Sequence, residues 1–181
     1  MKPRGPLMIE HRLIEKMIEI VKIQIKMIEI GQQVDPAFID TVVDFIRTYA
    51  DQTHHGKEED ILFRDLEHKK MSHENRKIMD ELVQEHKYGR KTVRDLVLAT
   101  EKYQDGDRDS YKTIVEKLKA IVDFYPPHIK KEDDIFFPDT ERYFTDDELD
   151  QMLQEFWEFD RNMIHKKYKA VYDDAKMKYG V

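Results

Sequence analysis

Two copies of a four-part pattern hold most of the residues that could do chemistry in this chain. Glu10-His11 is followed by His55 and Glu59, and Glu85-His86 by His128 and Glu132. The lone histidines stand 75 positions apart and the two His-x-x-x-Glu pairs 73 apart. A repeat of this kind reads as two helical hairpins facing each other. It would bring four imidazoles and two carboxylates to one place, a ligand set suited to iron. The chain has no cysteine, which removes disulfides, thiolate ligands and Cys nucleophiles together, so any metal must sit on N and O ligands.

Spacing alone decides little. Positions i and i+4 of an α-helix share a face, so each pair could grip one ion or form an ordinary surface contact. Two further histidines have an acid four residues on, His11 with Glu15 and His54 with Glu58, in a chain carrying 38 acids. The surrounding residues say more. The run from His55 through Glu59, Asp60 and Leu62 to Phe63 matches the run from His128 through Glu132, Asp133 and Ile135 to Phe136. Two surface pairs would not need this agreement. Leu62 and Ile135 lie seven residues beyond their histidines, on the same stripe of a helix, and are expected to face inward with them. Buried imidazoles and carboxylates are costly unless paired or coordinated. His54 and Glu58, rotated by one residue from the first pair, are expected at the rim, where Glu58 could support a ligand. His68, His73 and His165 have no repeated context and are assigned to the surface.

Four helices must position these side chains. Leu7, Ile14, Ile18, Val21, Ile25 and Ile28 recur at three- and four-residue steps and mark the first, with Gly31 as its stop. Asp35-Pro36 is a cap and first-turn proline for a second that carries His55 towards His68. Ser72 can cap a third, through His86 to the Asp105-Gly106 turn, and Asp107 or Asp109 can open a fourth. Pro126-Pro127 precede His128, so a kink or restart is expected there. Thr145 and Glu148 have capping-box spacing for a fifth helix running to Gly180. Short connections favour an all-α, up-down-up-down four-helix bundle with an additional C-terminal helix. Phe63, Phe136, Phe137, Phe156 and Trp157 are expected to seal it and dock the fifth helix.

With this ordered set and the strings HHGKEED and HIKKEDD, the chain resembles the hemerythrin-like, or HHE cation-binding, family over residues 7–138. The resemblance implies a non-haem di-iron centre inside the bundle, with His11, His55, His86 and His128 as iron ligands and Glu59 and Glu132 bridging the ions. One departure stands out: oxygen-carrying members have a further histidine where this chain has Arg90. About six-coordinate irons would then have roughly two positions for water, another side chain or a small oxidant. Gly89 could leave space for such a ligand or permit close helix packing. Arg90 could contact a bound anion or pair with a nearby acid. Adjacent acids Glu10, Glu85, Asp60 and Asp133 are candidates to accept the second N–H of the imidazoles.

Composition narrows the rest. At 181 residues without a Pro/Gly/Ser-rich interruption, the chain is expected to form one domain, residues 1–181, with the metal-binding bundle at 7–138 and the fifth helix at 145–179. A net charge of -7 with interspersed basic residues gives no support for nucleic-acid binding. Charges interrupt the first apolar stretch, so a membrane span is not expected, and a cytoplasmic location is. The expected function is a di-iron protein that binds or senses a small diatomic or peroxide ligand (O2, NO or peroxide) or handles iron. The loss of one histidine argues against a simple oxygen carrier. Alternatives are a di-iron enzyme that breaks down peroxide or oxidises a small substrate, and a metal-stabilised interaction module with a protein partner or self-association through the fifth helix. Mn or Zn could replace iron on these ligands.

Overall fold

The computed structural model describes residues 2–179, with side chains for all of these except 170 and 173–179; the expected run of the last helix to Gly180 ends outside them. Among the described residues there are helices and no strand. The first rod is α1 (Arg4–Gly31), whose buried stripe of Leu7, Ile14, Ile18, Val21, Ile25 and Ile28 is the one expected from its periodicity. It ends with Gln32, not Gly31, in the left-handed region (φ 51°).

The second rod begins as α2 (Pro36–Asp44), with the Asp35 carboxylate accepting from the Ala37 amide. It widens into two π-helical stretches, Phe45–His55 and Glu58–Phe63, before ending in α3 (Arg64–Glu67). The third rod is α4 (His73–Gln104), capped by Ser72 accepting from the Asn75 amide and ended by a turn at Gly106 (φ 107°). The fourth joins α5 (Tyr111–Lys131), a π-helical stretch Glu132–Phe136 and α6 (Phe137–Glu141). No restart occurs at Pro126-Pro127; the helix runs through both. Each proline removes one amide donor, but burial of Ile121, Tyr125 and Ile129 along the same rod holds the segment in place.

Consecutive rods pack on one another, and the fourth closes onto the first. The fifth rod, α7 (Asp146–Tyr179), starts at the expected capping box, with the Thr145 amide donating to Glu148 and the Glu148 amide donating to the Thr145 hydroxyl. It runs antiparallel along the second rod, pairing Glu148 with Lys69, Glu155 with Arg64, and Lys167 with Asp44. Phe156 is fully buried beneath it, whereas Trp157, expected inside, is largely solvent-facing because it lies one residue off that stripe.

The apolar interior is divided in two. One cluster, from Ile14 to Ala50 and Val93 to Ile129, fills the end of the bundle near the α1–α2 connection. The other joins Leu7, Leu62, Phe63, Met79, Phe136, Phe137, Met152 and Phe156 at the opposite end. The buried polar residues Glu10, His11, His54, His55, Lys57, Glu58, His86, His128 and Glu132 belong to neither. In sequence they fall where the two apolar sets meet on each of the four rods.

Candidate metal centre

Each rod of the bundle delivers its part of this polar layer. α1 gives His11, the second rod gives His54, His55 and Glu58, α4 gives His86, and the fourth rod gives His128 and Glu132. The donor atoms form two groups, His55 with His86 and His128, and His11 with His54, Glu58 and Glu132; within each group they lie within 4.8 Å of one another. The carboxylates join the groups. Glu58 places Oε1 3.5 Å from His54 Nε2 and Oε2 3.5 Å from His86 Nε2. Glu132 places Oε2 3.2 Å from His11 Nε2 and Oε1 3.3 Å from His128 Nε2, 3.7 Å from that of His86.

The sequence reading placed Glu59 here and Glu58 at the rim, and the structure reverses them. Glu58 is fully buried, while the Glu59 carboxylate is turned outward onto His86 Nδ1 (2.6 Å) and Arg90 (2.7 Å). The cause is the winding of the second rod. A π-helix closes i→i+5 bonds and is wider than an α-helix, so adjacent residues diverge less around the axis. Both His54 and His55 therefore face inward, set closer together around the axis than on an α-helical wheel. The same effect defeats the match between the two repeats: five residues separate Glu58 from Phe63 but four separate Glu132 from Phe136, although all four side chains face the interior. Ile135, expected inward, is exposed, and Phe136 takes its place in the core. The HHGKEED string holds both pairs, His54 with Glu58 and His55 with Glu59.

A second ring of carboxylates orients the first. Asp133 lies 2.7 Å from His11 Nδ1, Glu10 2.9 Å from His54 Nδ1, Asp51 3.3 Å from His55 Nδ1 and Glu85 2.8 Å from His128 Nδ1, with Glu59 on His86. Three of these were candidates from sequence; Asp60, the fourth, is exposed. Each carboxylate holds a proton on Nδ1 and turns Nε2 inward. Cations hold the ring from outside: Arg12 on Asp133, Lys57 on Glu10, Lys131 on Glu85, and Arg90 on both Asp51 and Glu59. Arg90 thus pairs with nearby acids. Gly89 lies one residue away, where an added Cβ would stand 3.4 Å from the Phe124 ring.

The inner layer is not satisfied by the protein. Nε2 of His11, His54, His86 and His128 and all four oxygens of Glu58 and Glu132 are buried without a hydrogen-bond partner. So many orphaned acceptors in one place cost far more than an apolar core, unless cations fill the space between them. Protein charges alone split the two acids. Burial, together with repulsion from Glu132, pushes the Glu58 carboxyl well up, while Glu132, despite burial, is held well down by His128, His11 and His86. Burial pushes His54 and His55 below the ordinary imidazole range. Burial also disfavours the His11 imidazolium, but Asp133 and Glu132 overcome it and raise the group to about 9.

Five imidazoles and two shared carboxylates on antiparallel rods fit metal ions on N and O ligands, and the same stretch is recognised by comparison with protein families: the hemerythrin HHE cation-binding domain matches residues 6–140. The chain belongs to the hemerythrin HHE family. No curated protein and no solved structure matches it. Among the described residues no helix is long and apolar enough to cross a membrane. Within this HHE domain five imidazoles are present without one at Arg90, because His54 joins the expected His55, which stacks on His86 at 3.9 Å between ring centroids. The residues present fit the cation the family name implies.

Proposed function

We propose that this HHE-domain protein holds two iron ions and binds or senses a small oxidant, such as dioxygen, nitric oxide or peroxide, or handles iron. One observation carries the two-ion reading: Glu58 and Glu132 each turn one oxygen to the His11/His54 side and the other to the side of His86. That is how a carboxylate addresses two cations at once. His55, His86 and His128 would hold one ion and His11 and His54 the other. When bound, iron supplies a redox-active centre able to attach and polarise a small molecule.

The chain's own residues do the rest. Asp51, Glu59, Glu85, Glu10 and Asp133 keep every imidazole in the tautomer that donates through Nε2. Phe137 stacks on His11, Phe63 on His86 and Phe124 on His128, with centroid separations of 5.8, 6.0 and 4.9 Å, and they exclude water from the layer. A cavity of about 290 Å³ reaches His55, lined also by Asp51, Gly89, Arg90 and Tyr125. Burial pushes the Tyr125 phenol up, so it keeps its proton and can donate a hydrogen bond to a molecule entering there.

Metal analysis of protein grown with iron, alongside its absorption spectrum, tests the first half: about two irons per chain are expected, and one or none overturns it. The same measurement reports Mn or Zn in place of iron. Stopped-flow mixing of the reduced protein with dioxygen or peroxide tests the second half. A long-lived spectral change supports binding, and sustained consumption of oxidant would make the protein an enzyme instead.

A further inference from the structure

α1 carries a second apolar stripe on the face turned away from the bundle. Ile9, Leu13, Ile20, Ile23, Met27 and Ile30 are between 44% and 82% exposed. Their spacing is that of a heptad seam, with Leu13, Ile20 and Met27 at one core position and Ile9, Ile23 and Ile30 at the other, interrupted only by Lys16. The stripe spans about 30 Å of helix at ~1.5 Å per residue. Scattered exposed apolar residues need no explanation, but a continuous row of this length does. The inward stripe of α1 already anchors it to the bundle, and among the described residues the outer one stays exposed.

We propose that this face pairs with the same face of a second copy, the two α1 helices running antiparallel about a two-fold axis. A self-complementary patch closes into a dimer and leaves no free seam. Charge selects the direction. The positions flanking the seam are Arg12, Glu19 and Lys26 on one side and Glu10, Met17, Gln24 and Gly31 on the other. In a parallel pair, Glu19 would face Gln24 and Lys26 would face Gly31, with no ion pair gained. In the antiparallel register that sets Ile20 against Ile23 and Leu13 against Ile30 of the second copy, Glu19 faces Lys26, twice by symmetry. Among the described residues Glu19 holds only an exposed contact to Lys22 and can be shared. The cavity at His55 is lined by the second, third and fourth rods, so pairing through α1 leaves it open.

Sedimentation velocity on the full-length, metal-loaded chain tests this across a range of concentrations up to about 100 μM. A species of twice 21.9 kDa is expected. Ile20→Glu and Ile23→Glu should each reduce it to the single-chain mass while circular dichroism and metal content stay unchanged. Glu19→Lys should weaken the dimer about tenfold, and adding Lys26→Glu in the same chain should restore it. Because the chain has no cysteine, Ile20→Cys mixed with Ile23→Cys should cross-link across the pair in preference to either variant with itself. A wild-type chain that stays at 21.9 kDa, or a dimer indifferent to Ile20→Glu, overturns the proposal. Preferential linking of Ile20→Cys to itself overturns the antiparallel arrangement.

Discussion

The two halves of the donor layer use the same chemistry and differ in access. On the side of His55, His86 and His128, a cavity of about 290 Å³ reaches the His55 imidazole, and a single guanidinium, Arg90, holds two of the orienting carboxylates. On the side of His11 and His54, Phe137 covers one ring and Glu10 supports the other, backed by Lys57, which is fully buried and lies 2.7 Å from Asp160 of α7. At Gly56 the fifth helix comes so close that an added Cβ would stand 2.7 Å from the Phe159 ring. One half is built to be reached, the other to be sealed. Evenly shared carboxylates then couple the two: Glu58 stands 3.5 Å from both His54 and His86.

The largest expected effect breaks that coupling. Glu58→Gln keeps the shape of the side chain but removes a shared charge between the two groups, so at least half of the bound metal should be lost, measured by elemental analysis after dialysis. Glu59→Gln touches only the outer ring at His86. It should lower affinity on the three-imidazole side by about 10- to 100-fold while both ions still load at saturating metal. Were Glu59→Gln to strip the metal and Glu58→Gln to leave it, the inward and outward assignments would have to be exchanged.

This pair of residues also marks how much was legible beforehand. The bundle was readable because its signals are local: the α1 stripe, the Asp35-Pro36 entry, Ser72 and the Thr145 capping box each act within a turn or two. His11, His86 and His128 were readable because α1, α4 and α5 are α-helical where they carry the histidines, so a 3.6-residue wheel applies, and Glu132 with them because its amide still donates to the His128 carbonyl, as in an α-turn. Glu58 and His54 were missed because the second rod is π-wound there, and nothing in residue type announces an i→i+5 turn. Asp51 was invisible for another reason. It supports His55 only because Arg90, a residue of a different rod, turns its carboxylate into place.

Breaking the sealed side without touching a donor calls for Lys57→Met. The variant leaves Glu10 facing a buried imidazole and Asp160 with no cation, and removal of one member of a buried ion pair costs about 3 kcal/mol. Chemical denaturation should report this loss in both the metal-free and loaded proteins. Lys57 also approaches the Phe156 ring at 5.8 Å, so the fifth helix should loosen with it, seen as faster amide exchange around Asp160 than around Glu148. Arg90→Gln, the corresponding change on the open side, should cost less, since Arg90 is partly solvated. Equal losses from the two variants would remove the distinction between a sealed and an open half.

The gentlest probe of the same contrast is the proton. In the absence of cations His11 is raised to about 9 by Asp133 and Glu132, whereas burial holds His55 below the ordinary imidazole range. Between about pH 7 and 8, metal entering the sealed side must therefore displace a proton from His11; on the open side His55 has none to give, and His86, which despite burial is raised by Glu132 and Glu59, is the group that would release one. A raised folded-state value means that the His11 contribution to metal-free stability is fully present below about 6.5 and is lost as pH rises through about 9. Metal affinity on the sealed side should move the opposite way, climbing by up to about tenfold per pH unit and levelling near 9. Indicator-dye measurement of protons released per ion bound checks this, with His11→Gln as the partner experiment. Release undiminished in that variant would mean that another group of the layer carries the proton, Glu58 or His86, both of which are raised there.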